Sequence, residues 1–205
     1  MLVTQIQPFD KKRCKVFLDG AFAFVLYNGE CRQYGIREGE ELSDEMHGTI
    51  MGELLLKRAR LRAMNLLQKR DYTENQLREK LRSGLYPDSV IDEAIAYVEA
   101  FHYVDDYRYA NDFIRCNGSK LSFRQLEQKL MQRGVSEDTI RKAWMEWEET
   151  VGVCSEEEIV RRLLHKRGFD VLTADAVSKQ KECAYLLRKG VAWETIRSAM
   201  RNMDE

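Results

Sequence analysis

Proline is nearly absent from this 205-residue chain, occurring only as Pro8 and Pro87. Proline removes a helix hydrogen bond and clashes with the preceding turn, so its scarcity permits long helices. No apolar run approaches the ~18 residues of a membrane span, and the residues after Met1 form no charged-then-apolar leader. These absences predict a soluble, cytoplasmic protein with no membrane partner. The five cysteines (Cys14, Cys31, Cys116, Cys154, Cys183) are odd in number, widely spaced and never form C-x-x-C, and His47, His102 and His165 are equally scattered. That argues against a disulfide framework or a metal site and for a reducing compartment. There is no G-x-x-x-x-G-K-[ST], H-E-x-x-H, G-x-S-x-G or G-x-G-x-x-G; Asn117-Gly118-Ser119-Lys120 lacks the earlier glycine of a P-loop. No catalytic residue, metal or cofactor is therefore expected, and an enzyme is the least favoured class.

What is present points to helices. Hydrophobic residues make up 44 % and charged residues 33 % of the chain, with a formal net charge of −1. Residues 1–42 stand apart: Val16–Leu26 is β-branched and aromatic and is broken by Asp19-Gly20, a hairpin signal because type I′ turns need positive φ at both central residues. With a strand over Leu2–Gln7 this predicts a small meander leaning on the first helix. From Ser43 on, Thr73-x-x-Gln76, Ser122-x-x-Gln125 and Ser155-x-x-Glu158 fit capping boxes. Ser43, Asp88, Asp105, Ser136 and Thr173 are further N-cap candidates, and Gly84, Gly134, Gly168 and Gly190 are placed to end helices in the left-handed conformation.

The chain repeats itself. Thr73, Gln76, Leu77, Lys80, Leu81, Ile91 and Ala94 match Ser122, Gln125, Leu126, Lys129, Leu130, Ile140 and Ala143 at a constant offset of 49. Phe113, Ser122, Leu130, Gly134, Val135, Thr139, Ile140 and Ala143 match Phe169, Ser178, Leu186, Gly190, Val191, Thr195, Ile196 and Ala199 at an offset of 56. Capping residues and stop glycines recur with the apolar positions, which chance similarity between amphipathic helices does not produce readily. The expected fold is mainly α: tandem three-helix repeats in an extended, curved array behind the N-terminal β meander. The expected segments are 1–42, 43–104, 105–150 and 151–205.

Charge keeps the same rhythm. Residues 57–82 carry nine Lys/Arg against three Asp/Glu, 83–112 one against seven, 113–142 seven against three, 143–158 none against six and 159–189 eight against three. The first two helices of each repeat are basic and the third mostly acidic. If equivalent helices share a side, the basic ones form a discontinuous stripe suited to phosphates or an acidic protein; otherwise they are solvated faces paired across repeats. Asp105-Asp106 could hold a metal, yet its place before an amphipathic helix favours capping and helix-dipole roles. Tyr97, Phe101, Tyr103, Tyr107, Tyr109 and Phe113 recur at helical spacing and, like Trp144, Trp147 and Trp193, read as core rather than as a base-stacking platform. Cys116 and Cys183 read as buried small hydrophobes.

The segment YVDDYRYANDFI (103–114) resembles the hallmark junction of RecX regulatory proteins, and 58–81 and 120–140 are similar to that family's first and second repeats. VFLDGAFAF (16–24) and YGIREGEEL (34–42) resemble an extension found in some members. The resemblance implies a regulator that binds RecA and its DNA filament and modulates, with inhibition the expected sign, filament growth, ATP hydrolysis and strand exchange in recombination and repair. Expected partners are the RecA filament and, weakly and salt-dependently, single- and double-stranded DNA, with the chain a monomer. The contact candidates are the basic positions Arg58, Arg62, Lys69, Arg70, Lys80, Arg82, Arg115, Lys120, Arg124, Lys129, Arg133, Arg161, Arg162, Lys166, Arg167, Arg188 and Lys189. Tyr103, Asp105, Asp106, Arg108 and Tyr109 match the junction motif and are expected to set the angle between repeats. Two other readings stay open: a sequence-specific regulator built on helix-turn-helix units, and a helical scaffold that binds protein only.

Overall fold

The computed structural model describes residues 1–151 and 156–203, so Cys154 and the cap expected at Ser155 lie outside the described residues. The chain divides into two compact units, Met1–Asp105 and Asp106 onward.

In the first unit, β1 (Val3–Pro8), β2 (Arg13–Leu18) and β3 (Ala21–Tyr27) form an antiparallel meander in that order. Asp19 (φ 49°) and Gly20 (φ 85°) make the turn, both in the left-handed region as the Asp-Gly pair requires. The Asp19 carboxylate also accepts the Leu2 N–H at 2.8 Å, which ties β1 to the hairpin. Period-two alternation buries Cys14, Val16 and Leu18 on one face. A short α1 (Asn28–Gln33) follows. Ser43 caps α2 (Asp44–Thr49), its hydroxyl accepting the Met46 N–H at 3.2 Å. This helix continues through a π-helical segment (Ile50–Leu55) into α3 (Leu56–Leu67). The wider turn shifts the angular phase of everything after it. Next come α4 (Glu74–Arg82), capped by Thr73, and α5 (Asp88–Ala100). Meander and helices share one core, running from Val3, Phe24 and Leu26 to Ile50, Leu77, Leu81 and Ile91.

The second unit holds two further triplets: α6 (Asp106–Asn117), α7 (Phe123–Met131) and α8 (Glu137–Val151), then α9 (Glu156–Lys166), α10 (Ala176–Arg188) and α11 (Trp193–Arg201). Each triplet has its own cluster, around Ile114, Leu126, Leu130 and Ile140 in one and Val160, Leu164, Leu186 and Ile196 in the other. The repeat is physical. Leu81, Leu130 and Leu186 correspond, as do Ile91, Ile140 and Ile196, and Ala94, Ala143 and Ala199, and all nine are fully buried. Burial of each leucine or isoleucine stabilises by roughly 1.5–3 kcal/mol.

Several local expectations are corrected. Pro87, not Asp88, occupies the cap of α5; Asp88 is the first helical residue, where a carboxylate favours the positive helix end. Asp175, not Thr173, caps α10 by accepting the Ser178 N–H at 2.9 Å, while the Thr173 hydroxyl donates to Asp170. Gly84 does not adopt positive φ; Leu85 does (φ 60°), one residue later. Phe101, Tyr103, Tyr107 and Trp193 are exposed rather than core, because helical spacing identifies a face without saying that anything covers it. Trp144 and Trp147 are buried, with ring centroids 4.8 Å apart.

Cys116 is also exposed, whereas Cys14 and Cys31 are buried with their Sγ atoms 2.9 Å apart. Burial pushes the Cys31 thiol up to about 12, with the neighbouring Cys14 adding to the rise. Near pH ~8 a thiolate-directed alkylating agent should therefore modify Cys116 ahead of Cys14 and Cys31, read by peptide mass mapping. Because the folded state holds the Cys31 proton above its unfolded pKa, this group's contribution to stability should fall as pH rises beyond about 9. Early modification of Cys31 in the folded protein would contradict this packing.

Candidate functional site

The first unit contains a cavity of about 520 Å³ between sheet and helices. Leu55, Arg58, Leu61, Arg62 and Asn65 line it from one helical face that begins where the π segment ends. Lys80 and the turn Ser83–Tyr86 line it from the end of α4, and Arg13, Val25 and Tyr27 from the sheet, where Arg13 and Tyr27 stand opposite each other across β2 and β3. Among the described residues no carboxylate lines it. Behind it, Arg58 pairs with Glu30 and stacks 4.8 Å from the Tyr27 ring centroid, and Arg13 pairs with Asp10 at 2.7 Å. Arg62 and Lys80 are exposed and have no carboxylate within salt-bridge distance among the described residues. Burial pushes the Tyr86 phenol above its ordinary value; Arg58 and Arg62 oppose the rise, which registers their closeness to it.

The second unit has a cleft of about 370 Å³ where its two triplets meet. Lys120, Leu121 and Gln125 come from the start of α7, Leu163, Lys166 and Arg167 from the end of α9, and Tyr185 and Lys189 from the end of α10. Among the described residues no carboxylate lines it either. Arg167 lies 4.3 Å from the Tyr185 ring centroid and is held by both oxygens of Glu182 at 2.7 and 3.0 Å, leaving Lys120, Lys166 and Lys189 as its exposed or half-exposed ammonium groups. Ser122 closes the junction. It caps α7 and donates its hydroxyl to the Lys189 carbonyl at 2.8 Å. Gly190 (φ 82°) passes so close that an added Cβ would lie 3.2 Å from that hydroxyl.

The family model described as "RecX, first three-helix domain" matches residues 59–97, and "RecX, second three-helix domain" matches 105–143. The chain thus carries two successive three-helix domains of the RecX family. Among its relatives, the protein named "Regulatory protein RecX" from Caldanaerobacter subterraneus subsp. tengcongensis is 29 % identical over 202 residues, spanning 98 % of each chain. The same-named protein of Clostridioides difficile is 24 % identical, spanning 100 % of this chain and 98 % of the relative. A crystal structure of regulatory protein RecX superposes with a TM-score of 0.62 at 21 % identity, covering 96 % of this chain and 97 % of that one. RecX from Lactobacillus salivarius gives 0.61 at 19 %, covering 73 % and 97 %. These structures share its fold.

The remaining RecX-type basic positions scatter. Arg82 is held by Glu79 at 3.0 Å and Asp88 at 3.3 Å, and Arg115 by Asp112 at 2.6 Å. Arg133 donates to the Tyr109 hydroxyl at 2.8 Å and covers the Phe113 ring, so it packs the second core. Arg162 donates to the Ser119 carbonyl, Arg161 lies 3.9 Å from Glu157, and Arg70 stacks on Tyr72 at 4.2 Å. Lys69, Arg124, Lys129 and Arg188 are exposed outside both clefts. Of the junction motif, Tyr103 and Arg108 are exposed, Tyr109 is half-buried, and Asp105 and Asp106 flank the boundary between the two units. Arg13, Tyr27, Leu85 and Tyr86 were not anticipated. For Leu85 a signal existed: it stands 49 residues before Gly134, at the left-handed position of the repeat.

Among the described residues no helix is long and apolar enough to cross a membrane.

Proposed function

We propose that this chain is a regulator of a RecA-type recombinase filament on DNA, acting by binding rather than by chemistry of its own, and that it restrains the filament's ATP hydrolysis, growth and strand exchange. The observation that carries the reading is the pair of cation-lined clefts, one in each unit, lined by no carboxylate among the described residues, in a chain whose net charge is only −1. Their seven expected contact residues are Arg58, Arg62, Lys80, Lys120, Lys166, Arg167 and Lys189. Concentrating cations in concave surfaces raises the local potential toward an anionic polymer. Neutralising phosphates releases counterions, so binding through these clefts weakens steeply with salt. The motif Tyr103, Asp105, Asp106, Arg108 and Tyr109 has a structural role at the junction between repeats. The Glu/Asp-rich helices α5 and α8 discourage docking in the wrong orientation, since like-charge juxtaposition costs several kcal/mol.

The test is a titration of the chain against a RecA-type recombinase hydrolysing ATP on single-stranded DNA. Hydrolysis should fall progressively as the chain is added, and the effect should fade as salt is raised. Unchanged hydrolysis and filament length at saturating chain would overturn the reading.

A further inference from the structure

The cleft beside the sheet is lined by a leucine in the left-handed conformation. Where the second and third repeats leave their middle helix, glycine takes the left-handed conformation, Gly134 at φ 87° and Gly190 at φ 82°. The first repeat puts Leu85 there at φ 60°. A side chain in that conformation is disfavoured, and glycine is the ordinary solution. The leucine and its successor Tyr86 both line the cleft, facing Leu61 and Arg62 of α3 and Lys80 of α4. A strained residue whose side chain lines a cation-rich cavity fits a contact role better than a folding role. Leu61 is 53 % exposed at the same site, an apolar surface amid the charges.

We propose that this cleft seats one nucleotide of a single DNA strand, with Arg62 and Lys80 on its phosphates and Tyr86, Leu61 and Leu85 against its unstacked base. The proposal rests on the reading of the chain as a regulator of a DNA-bound filament and names the element of that target it grips. A cavity of about 520 Å³ suits one base with its phosphate and is far too small for a duplex. The flat and apolar groups among the cations favour a nucleotide over an acidic peptide, since every base offers a π-face for an aromatic ring. A strand is favoured over a free nucleotide because consecutive phosphates can engage Arg62 and Lys80 together.

The full chain is titrated with a fluorescent oligothymidylate, an abasic strand of equal length, thymidine monophosphate as competitor and polyglutamate as a second competitor. R62A/K80A should lower oligothymidylate affinity by roughly tenfold and flatten the salt dependence by about 0.7 in log–log slope per lost contact. Leu85→Gly removes the strained side chain, so it should keep its melting temperature. It should nevertheless lose several-fold in affinity for oligothymidylate and little for the abasic strand. Wild-type binding by these variants, or equal wild-type affinity for both strands, would overturn the proposal. So would displacement by the mononucleotide at concentrations comparable to the strand, or by polyglutamate. The parent reading fails separately: a variant that loses the strand yet still restrains recombinase ATP hydrolysis removes that reading's use of this cleft and leaves strand binding intact. A variant that binds the strand normally but loses restraint does the reverse.

Discussion

The Arg62→Glu, Lys80→Glu double variant is expected to lose at least about tenfold in its ability to restrain recombinase ATP hydrolysis while keeping wild-type helicity. Both side chains are exposed, line one cleft and meet no carboxylate among the described residues. Their reversal therefore breaks no folded-state pair, and exposed substitutions of this kind usually change stability by no more than about 0.5 kcal/mol. Against an anionic target each change removes an attraction and adds a repulsion, so about 1.4 kcal/mol, a tenfold effect, is a modest demand. Arg82→Glu is the matched control. Arg82 sits only two residues beyond Lys80, but Glu79 and Asp88 already hold it. That reversal should disturb local ion pairs, worth at most about 1 kcal/mol at an exposed site, and should change restraint far less. Circular dichroism with an ATPase titration checks both. Equal losses in the control and the double variant would indicate a general charge effect with no role for the cleft.

Gly118→Ala should destabilise the second unit by about 2–3 kcal/mol, a large effect for adding one methyl group. Gly118 is buried just beyond α6. A Cβ there would meet the Trp147 ring at 2.6 Å and the Ile114 carbonyl at 2.8 Å. The carbonyl belongs to the backbone of a packed helix and cannot swing aside, so either α6 or the Trp144–Trp147 cluster must shift. Replacing Trp147 with a smaller ring vacates only the first contact. Gly118→Ala with Trp147→Phe should therefore cost less than the sum of the single changes, the non-additivity expected of groups in direct contact. Denaturant unfolding of the four proteins measures it. Strict additivity, or a neutral Gly118→Ala, would show that the helix end does not press on Trp147.

Much of this architecture is legible because it is local. The Asp19-Gly20 turn, the Ser43, Thr73 and Ser122 caps and the two repeat offsets depend on residues near each other in sequence, and the structure places them as the pattern demands. The corrections arise where two local solutions compete. Pro87 can end a loop as well as Asp88 can cap a helix, and Asp175 lies two residues beyond Thr173 with a better acceptor. Exposure of Phe101, Tyr103, Tyr107 and Trp193 was invisible because apolar spacing records a face and not its cover. The clefts were the least legible part. Arg58, Arg62 and Lys80 could be named as basic. Their meeting with Arg13, Tyr27 and Tyr86 depends on how the sheet packs and on the phase shift at Ile50–Leu55. Equally, which cations are spent internally follows from tertiary partners: Arg133 on Tyr109 and Phe113, Arg167 on Glu182.

In the proposed function, the two cation-lined clefts are the surfaces that meet nucleic acid on the filament. Photo-cross-linking tests it most directly: a recombinase filament assembled on a strand carrying photoreactive thymidines, the chain added, and cross-linked peptides mapped by mass spectrometry. Adducts should concentrate in the segments 58–65 and 80–86 and, in the second unit, in 120–125, 163–167 and 185–189. Adducts confined to the acidic helices α5 and α8, or a chain that restrains the filament without cross-linking at either cleft, would contradict it.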